Sequence, residues 1–582
     1  MDFMDKQKAK QSLMKALFIV SMQIIYVKLF GYKNILVGMI MGMGTVSFLM
    51  RDLTGNLVYR GITFLILNII LGIFSFLSPI NMWIGFFINF LTIFLTTYVY
   101  MNDFRSPTSY IFLMSYIFMW AIPVSLKELP ARLVALNFSI VPIILAQLIF
   151  NKHRFENDSK KIIEEIIIDI NKQIDDITNN TFEISENLKI NKKIRNLLVL
   201  ISEKSSNKFQ NSKYEMKQFN IAVYLDRINL IIGHVAKNKK DKKFKDEYLS
   251  DIKVQINNIS LYNEDYSYIE TINKNIDEFI KKYESISDKP IFISDSIHLL
   301  KVLKININNK EECKERNIYK IYKTVNVAHK FELIISMKEN FNLNSLKMIY
   351  SLKLALSISL AMFLIQFLNI PYGRWIVITI YVIMQPYEED TVIKAKKRLK
   401  GTFIGVILFF SIFSLIHDTI PKMIVLFIAF FYYFYFKEYD KKVMCMTTIS
   451  LSSVSLVHYI NIISIGRLMF IAIGVGFGLL INKYFLPYNI TDSIEELKLK
   501  YKNNERKIQK ELDKVLKGKG NLDKLIKLTL EESQIENKLI ANNSRAKDEE
   551  LEKIIYKHSI MMSDARFLLL RFYHEKYILD NV

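Results

Sequence analysis

Apolar stretches near the 20 residues that a helix needs to cross a hydrocarbon core of about 30 Å recur along this chain in two groups of six, with polar sequence between and after them. The first group predicts spans at about 13–31, 34–50, 61–79, 81–100, 107–124 and 131–150. The second predicts them at about 347–369, 372–386, 401–417, 420–436, 443–460 and 465–486. Six crossings return the chain to its starting side, so the two groups read as a parallel repeat about an axis along the membrane normal. The predicted fold is an all-α polytopic membrane protein. Its expected domains are a six-span block at 1–150, a helical polar domain at 151–346, a second six-span block at 347–487 and a helical C-terminal domain at 488–582.

The polar segments follow a helical period. Ile163, Ile166, Ile167, Ile170, Ile174 and Ile177 recur at spacings of three and four and make one apolar stripe. Further amphipathic helices are predicted at about 183–203, 213–236, 244–261 and 266–285, with the run Ile291-Phe292-Ile293 as a strand. After Tyr319 the helical pattern is expected to resume towards the seventh span. The C-terminal segment predicts two or three helices, broken near Lys517-Gly518-Lys519-Gly520 and Asn542-Asn543-Ser544.

Charge narrows the function classes. The polar segments 151–346 and 488–582 carry net +5 and +2, so +14 of the chain's +21 lies in the two apolar blocks. A nucleic-acid protein concentrates its excess on a soluble face; here the placement suits anionic lipid headgroups and an anionic small molecule. Internal connections of the blocks carry eleven basic residues and external ones seven, which puts the N-terminus, the C-terminus and both polar segments in the cytoplasm. Only Cys313 and Cys445 are present, and the eight His residues form no His-x-x-x-His pair, so neither a disulfide framework nor a metal site is expected. No phosphate loop, nucleophile elbow or His-Glu-x-x-His pair occurs, so the chain is not read as an enzyme and no cofactor is expected.

One polar string interrupts the second block. After Trp375 an apolar span ends at Gln385-Pro386, an acidic turn follows, Thr391 opens a basic helix containing Lys394 and Arg398, and Gly401-Thr402-x-x-Gly405 begins the next span. Pro386 stops one helix and Thr391 is placed to cap the next. The glycines, one turn apart, admit close approach of a neighbouring helix. Lys394 and Arg398, four apart, share a helix face and are placed either to line a cytoplasmic entrance or to rest on anionic headgroups.

Tyr372, Trp375, Gln385-Pro386, Thr391, Arg398 and Gly401-Thr402-x-x-Gly405 resemble, in order and spacing, the second-block signature of the fusaric acid resistance-like family, within the aromatic acid exporter superfamily. The resemblance covers 347–487 and extends to the first block through its layout and the stretch Tyr32 to Gly61. It implies a bacterial inner-membrane protein of two six-span halves that exports aromatic or other organic acids. Plant malate channels look like distant relatives in which two six-span subunits pair around an anion path, so a homo-oligomer is a possible state. This chain departs from the pattern in having Lys353 where the family has Arg, and Tyr387-Glu388-Glu389-Asp390 where it has a small polar turn.

The repeat itself pairs cations. Lys15 in the first span corresponds to Lys353 in the seventh, and Arg132 at the head of the sixth to Arg467 at the head of the twelfth. A cation within a span is costly unless it snorkels, pairs or faces a wet cavity. The expected anion path runs from Arg398 and Lys394, with Gln385 beside them, past Lys353 to Arg374 or Arg467, with Lys15 and Arg132 as the first half's counterparts. The aromatic run Phe430–Phe436 is read either as a surface for stacking a phenolic acid or, more plainly, as lipid-facing or interfacial packing. The expected function is export of organic anions, aromatic carboxylates foremost. The alternatives are a gated anion channel and a scaffold or sensor acting through its polar domains.

Overall fold

The computed structural model describes residues 3–49, 54, 57–100, 109–205, 212–237, 242–264, 266–286, 290–308, 340–413, 416, 418–455, 460–517 and 520–579. They are overwhelmingly helical and contain no strand. The chain forms two compact units, each assembled from segments far apart in sequence. One combines 1–151 with 334–493, the other 152–333 with 494–582.

The first half of the membrane unit comprises α1 (Phe3–Phe30), α2 (Ile35–Phe48), α3 (Leu57–Leu77), α4 (Met82–Tyr100), α5 (Ser109–Ala121) and a sixth span broken into α6 (Leu129–Phe138) and α7 (Ile140–Phe150). Pro142 explains the break, because its ring clashes with the carbonyl four residues back, that of Phe138. The polar unit's first segment supplies α8 (Arg154–Thr178), α9 (Ile184–Ser205), α10 (Ser212–Lys237), α11 (Lys242–Glu264), α12 (Ile269–Glu284) and α13 (Ile291–Asn308). The second half follows as α14 (Leu346–Phe367), α15 (Arg374–Ile383), α16 (Glu388–Phe413), α17 (Thr419–Tyr435), α18 (Tyr439–Ser455) and α19 (Ile460–Tyr484). The tail adds α20 (Ile490–Leu516), α21 (Leu522–Ala546) and α22 (Glu549–Leu579).

Six described helices are long and apolar enough to cross a membrane: Lys6–Phe30, Arg60–Leu77, Met82–Tyr100, Leu129–Phe150, Leu346–Phe367 and Gly466–Tyr484. The packing repeats between halves. In each, the first helix packs on the second and sixth, the second on the sixth, the third on the fifth and sixth, and the fourth on the fifth. Across the halves the exchange is reciprocal, α1 on α17 and α14 on α4. At the α4–α14 contact Phe363 lies 5.0 Å from Trp83 and 6.0 Å from Phe86 between ring centroids. Both helices bury small polar residues, Thr92, Thr96 and Thr97 on α4 and Ser351, Ser357 and Ser359 on α14, the composition that lets membrane helices approach closely.

In the polar unit, α8 buries Ile163, Ile166, Ile167, Ile170 and Ile174, the stripe visible in the sequence. Ile291-Phe292-Ile293 is the first turn of α13 and not a strand. Pro290 stands just ahead of it, where its fixed φ favours a helix start, and Ile293, Ile297, Leu300 and Leu303 continue the buried face. The helix α21 runs through Asn542-Asn543-Ser544, because Asn543 closes the following turn, accepting from the Asp548 amide at 2.9 Å and donating to its carbonyl at 2.9 Å. Cys445 is buried and free. Cys313 and the stretch after Tyr319 lie outside the described residues.

Candidate functional site

The signature string folds as a tight corner between two helices. α15 is only 10 residues long, about 15 Å by helical rise, and stops before Gln385-Pro386. The Gln385 amide donates to Thr391 Oγ1 at 3.0 Å, and Thr391 Oγ1 donates to the Tyr387 carbonyl at 3.2 Å. Thr391 therefore does not cap α16 from outside. The helix begins three residues earlier, where Glu388, Glu389 and Asp390 occupy its first turn and favour its partial positive end. This acidic turn is also tied to the chain leaving α19. The Glu388 amide donates to the Tyr488 carbonyl at 3.0 Å, and Glu389 Oε1 accepts from the Ile490 amide at 3.3 Å. The Gln385 side chain turns back to the Met384 carbonyl at 2.6 Å.

Along α16, Thr391, Ala395, Arg398, Thr402, Gly405 and Phe409 form one buried face at helical spacing. A Cβ on Gly401 would strike the Asp440 carbonyl, and one on Gly405 would lie 2.7 Å from that of Met444. The two glycines thus set the approach of α16 to α18. That approach brings Arg398 under the start of α18, where Tyr439 lies.

Three cations converge here. Arg398 is within electrostatic reach of Lys394, Arg467, Tyr110, Tyr433 and Tyr439. The Arg467 guanidinium sits 4.1 Å above the Trp375 ring and donates to Ser450. Lys394 Nζ lies 5.2 Å over the Tyr439 ring. The Nε atoms of Arg398 and Arg467 are buried with no hydrogen-bond partner, and the buried Tyr439 hydroxyl faces Arg398. From the first half, Tyr110 stacks on Tyr381 at 5.3 Å and its carbonyl accepts from the Tyr381 hydroxyl at 2.8 Å.

The fully buried charged residues described in this unit all have one sign. Among its described residues the buried charged side chains are Arg132 (2% exposed), Lys353 (0%), Arg398 (7%) and Arg467 (3%), and no buried Asp or Glu accompanies them. The buried carboxylates, Glu215, Asp226, Glu511, Glu532 and Glu536, belong to the other unit. Uncompensated buried charge costs several kcal/mol per ion.

Not every expected path residue joins the cluster. Arg132 donates from Nε to Asn34 Oδ1 at 3.1 Å, from Nη1 to the Ile122 carbonyl at 2.5 Å and from Nη2 to the Lys33 carbonyl at 2.9 Å. Its guanidinium joins two loops to α6. Arg374 lies half-buried over the Tyr372 ring at 5.8 Å, and Lys15 is half-buried near Lys442. Lys353 donates to Asn482 Oδ1 at 3.4 Å, and Asn482 in turn donates to the Glu388 carbonyl at 3.3 Å. The sequence reading missed Tyr110, Tyr439, Ser450 and Asn482. Of the aromatic run, Phe430 is fully buried and Tyr433 approaches Arg398, while Tyr432 is exposed, so only part of it faces outward. Helical alternation within the run carried that signal.

Fold and site define a polytopic helical membrane protein of two repeated halves with cations buried between its helices. Residues 360–481 match the family described as fusaric acid resistance protein-like, so the resemblance carried by Trp375 through Gly405 holds over that stretch of the second half. A stretch of 79 residues is 37% identical to an uncharacterized protein of Synechocystis sp. (strain ATCC 27184 / PCC 6803 / Kazusa), covering 14% of this chain and 10% of that protein. No solved structure matches the chain.

Proposed function

We propose that the membrane unit conducts organic anions, aromatic carboxylates foremost, out of a bacterial cytoplasm, with both termini on the cytoplasmic side of the plasma membrane. The observation that carries this reading is the one-signed set of buried charges, with Arg398 and Arg467 facing aromatic rings and no carboxylate. A carboxylate 4 Å from one such guanidinium gains about 4 kcal/mol at an effective dielectric of 20. Two of them offset the several kcal/mol of dehydrating it. Trp375, Tyr433 and Tyr439 supply π faces for an attached ring.

Lys394 and Arg398 draw the anion in and Arg467 receives it. Arg398 is about 15 Å along α16 and Arg467 about 10 Å along α19. The two helices run in opposite directions, and the two guanidiniums lie within electrostatic reach of each other. Arg132, Lys15 and Arg374 drop out of the path, while Lys353 with Asn482 holds the acidic corner beside its inner end. Among the described membrane residues no Asp or Glu is fully buried as a whole residue, and the one buried carboxylate oxygen without a hydrogen-bond partner, Glu389 Oε2, lies at the corner where α16 begins, away from the cation cluster. No chemical conversion is part of the reading.

Efflux of preloaded 4-hydroxybenzoate from proteoliposomes tests it. Wild type is expected to release the anion, and Arg398→Ala to slow release at least tenfold at equal protein incorporation. Equal rates would contradict the assignment.

A further inference from the structure

The polar unit holds a second cluster, at the joint between its two chain-distant segments. Facing one another there are Tyr501, Asn504 and Glu505 of α20, Glu532 and Glu536 of α21, and His558 and Arg566 of α22. Arg195 of α9 and Asp226 of α10 face them from the middle segment. Four of the charges pair off across the joint, Arg195 with Glu536 at 2.8 Å and Arg566 with Asp226 at 2.7 Å. What remains is two carboxylates and one imidazole: His558 Nε2 lies 3.6 Å from Glu505 Oε2 and 3.6 Å from Glu532 Oε1. The His558 ring also packs on Tyr501, 4.0 Å between centroids.

Both ring nitrogens of His558, Glu532 Oε1 and the Tyr501 hydroxyl are buried without a hydrogen-bond partner. The other Glu532 oxygen accepts from the Asn504 amide. An unprotonated Glu532 and a neutral His558 present only acceptors to each other, if the ring proton sits on Nδ1. One proton on Glu532 Oε1 turns that contact into a donor and an acceptor and satisfies both. Glu505, whose side chain is 29% exposed, links the pair to solvent.

We propose that Glu532, His558 and Glu505 form a proton-binding site that holds the tail helices α20–α22 together, and with them the face they present to Arg195 and Asp226 of the middle segment, firmly when the proton is bound and loosely when it has left. No covalent step is involved; the proton comes from water and returns to it.

Burial supports this by pushing the Glu532 carboxyl up from 4.5 to about 8, Glu536 and Glu505 adding to it and the Asn504 bond opposing. Burial, with Arg566 adding, pushes His558 down from 6.5 to about 4. A raised acid stabilises the folded joint below its ordinary range, and that stability drains away as pH climbs to about 8. A lowered imidazole works oppositely, costing stability only below 6.5. The two slopes cancel between 4.5 and 6.5, which leaves a loosening between 6.5 and about 8.

Hydrogen–deuterium exchange on the full chain in nanodiscs, corrected for intrinsic rates, tests the site. Wild-type amides of α21 and α22 and of facing α9 should open about tenfold more per pH unit across that window. Glu532→Gln, a permanently neutral isostere, should keep its protection throughout. The proposal is overturned by flat wild-type protection, by the same pH dependence in Glu532→Gln, or by a Glu532→Gln joint that is open at every pH. Infrared spectroscopy with labelled glutamate is the second reading: a protonated carboxyl signal should vanish across the window, and its constancy would equally overturn the site.

Discussion

Arg132 and Arg467 hold the same place in the two halves in different surroundings. Arg132 feeds a side-chain oxygen and backbone carbonyls, so its loss would strand Asn34 and the ends of two loops. Stranded buried acceptors cost about 1–3 kcal/mol each. Arg132→Met is therefore expected to lower the melting temperature of the detergent-solubilised protein by several degrees. Arg467 and Arg398, by contrast, hold buried Nε atoms with no partner, and replacing an uncompensated charge with an apolar chain removes a cost. Arg467→Met and Arg398→Met should melt no lower than wild type while anion flux falls at least tenfold. A melting point for either that drops as far as that of Arg132→Met would make them structural too. Sequence placed all these cations by periodicity and repeat. It could not rank them, because which acceptors surround a guanidinium is decided by loops and helices remote in the chain.

At the scale of helices, the two glycines of the signature separate from glycine as a mere helix weakness. Gly405 sits against Met444 and Thr447 of α18, a Cβ there falling 2.7 Å from one and 2.8 Å from the other, whereas Gly476 on α19 has nothing within 4 Å. Gly405→Val should cost about 1–3 kcal/mol by overpacking and push Tyr439 off Arg398. Gly476→Ala should be neutral or stabilise by up to about 1 kcal/mol through helix propensity. Thermal unfolding of both variants checks the contrast. Element positions were largely legible, since spans and amphipathic stripes each follow from one face of one helix. The misread elements share a cause. Ile291-Phe292-Ile293 is too short a run for periodicity to separate strand from helix, and Thr391 looked like a cap only because the helix start at Glu388 hides behind an acidic turn.

For the whole molecule, sequence order conceals the assembly. Four successive segments fold as two units, each closed by pairing a segment with another beyond its neighbour. The membrane unit exchanges its first and fourth helices reciprocally, and the polar unit joins middle segment to tail through Arg195–Glu536, Arg566–Asp226 and Arg227–Asp564. Nothing in linear periodicity announces contacts some 340 residues apart. Arg566→Ala would leave Asp226 buried and unpaired, a change that costs about 3–5 kcal/mol. Limited proteolysis should then cut α22 at protease levels the wild type resists, and unchanged resistance would show that the pair does not hold the joint.

Among the described residues the two units also divide the buried charge, cations alone in one and cations together with carboxylates in the other. Equilibrium binding of radiolabelled 4-hydroxybenzoate to the purified full-length protein addresses that division most directly. Saturable binding that competing carboxylates displace, and that weakens at least tenfold, or about 1.4 kcal/mol, in both Arg398→Met and Arg467→Met, is the predicted result. Binding that is absent from the wild type, or undiminished in those two variants, would contradict it.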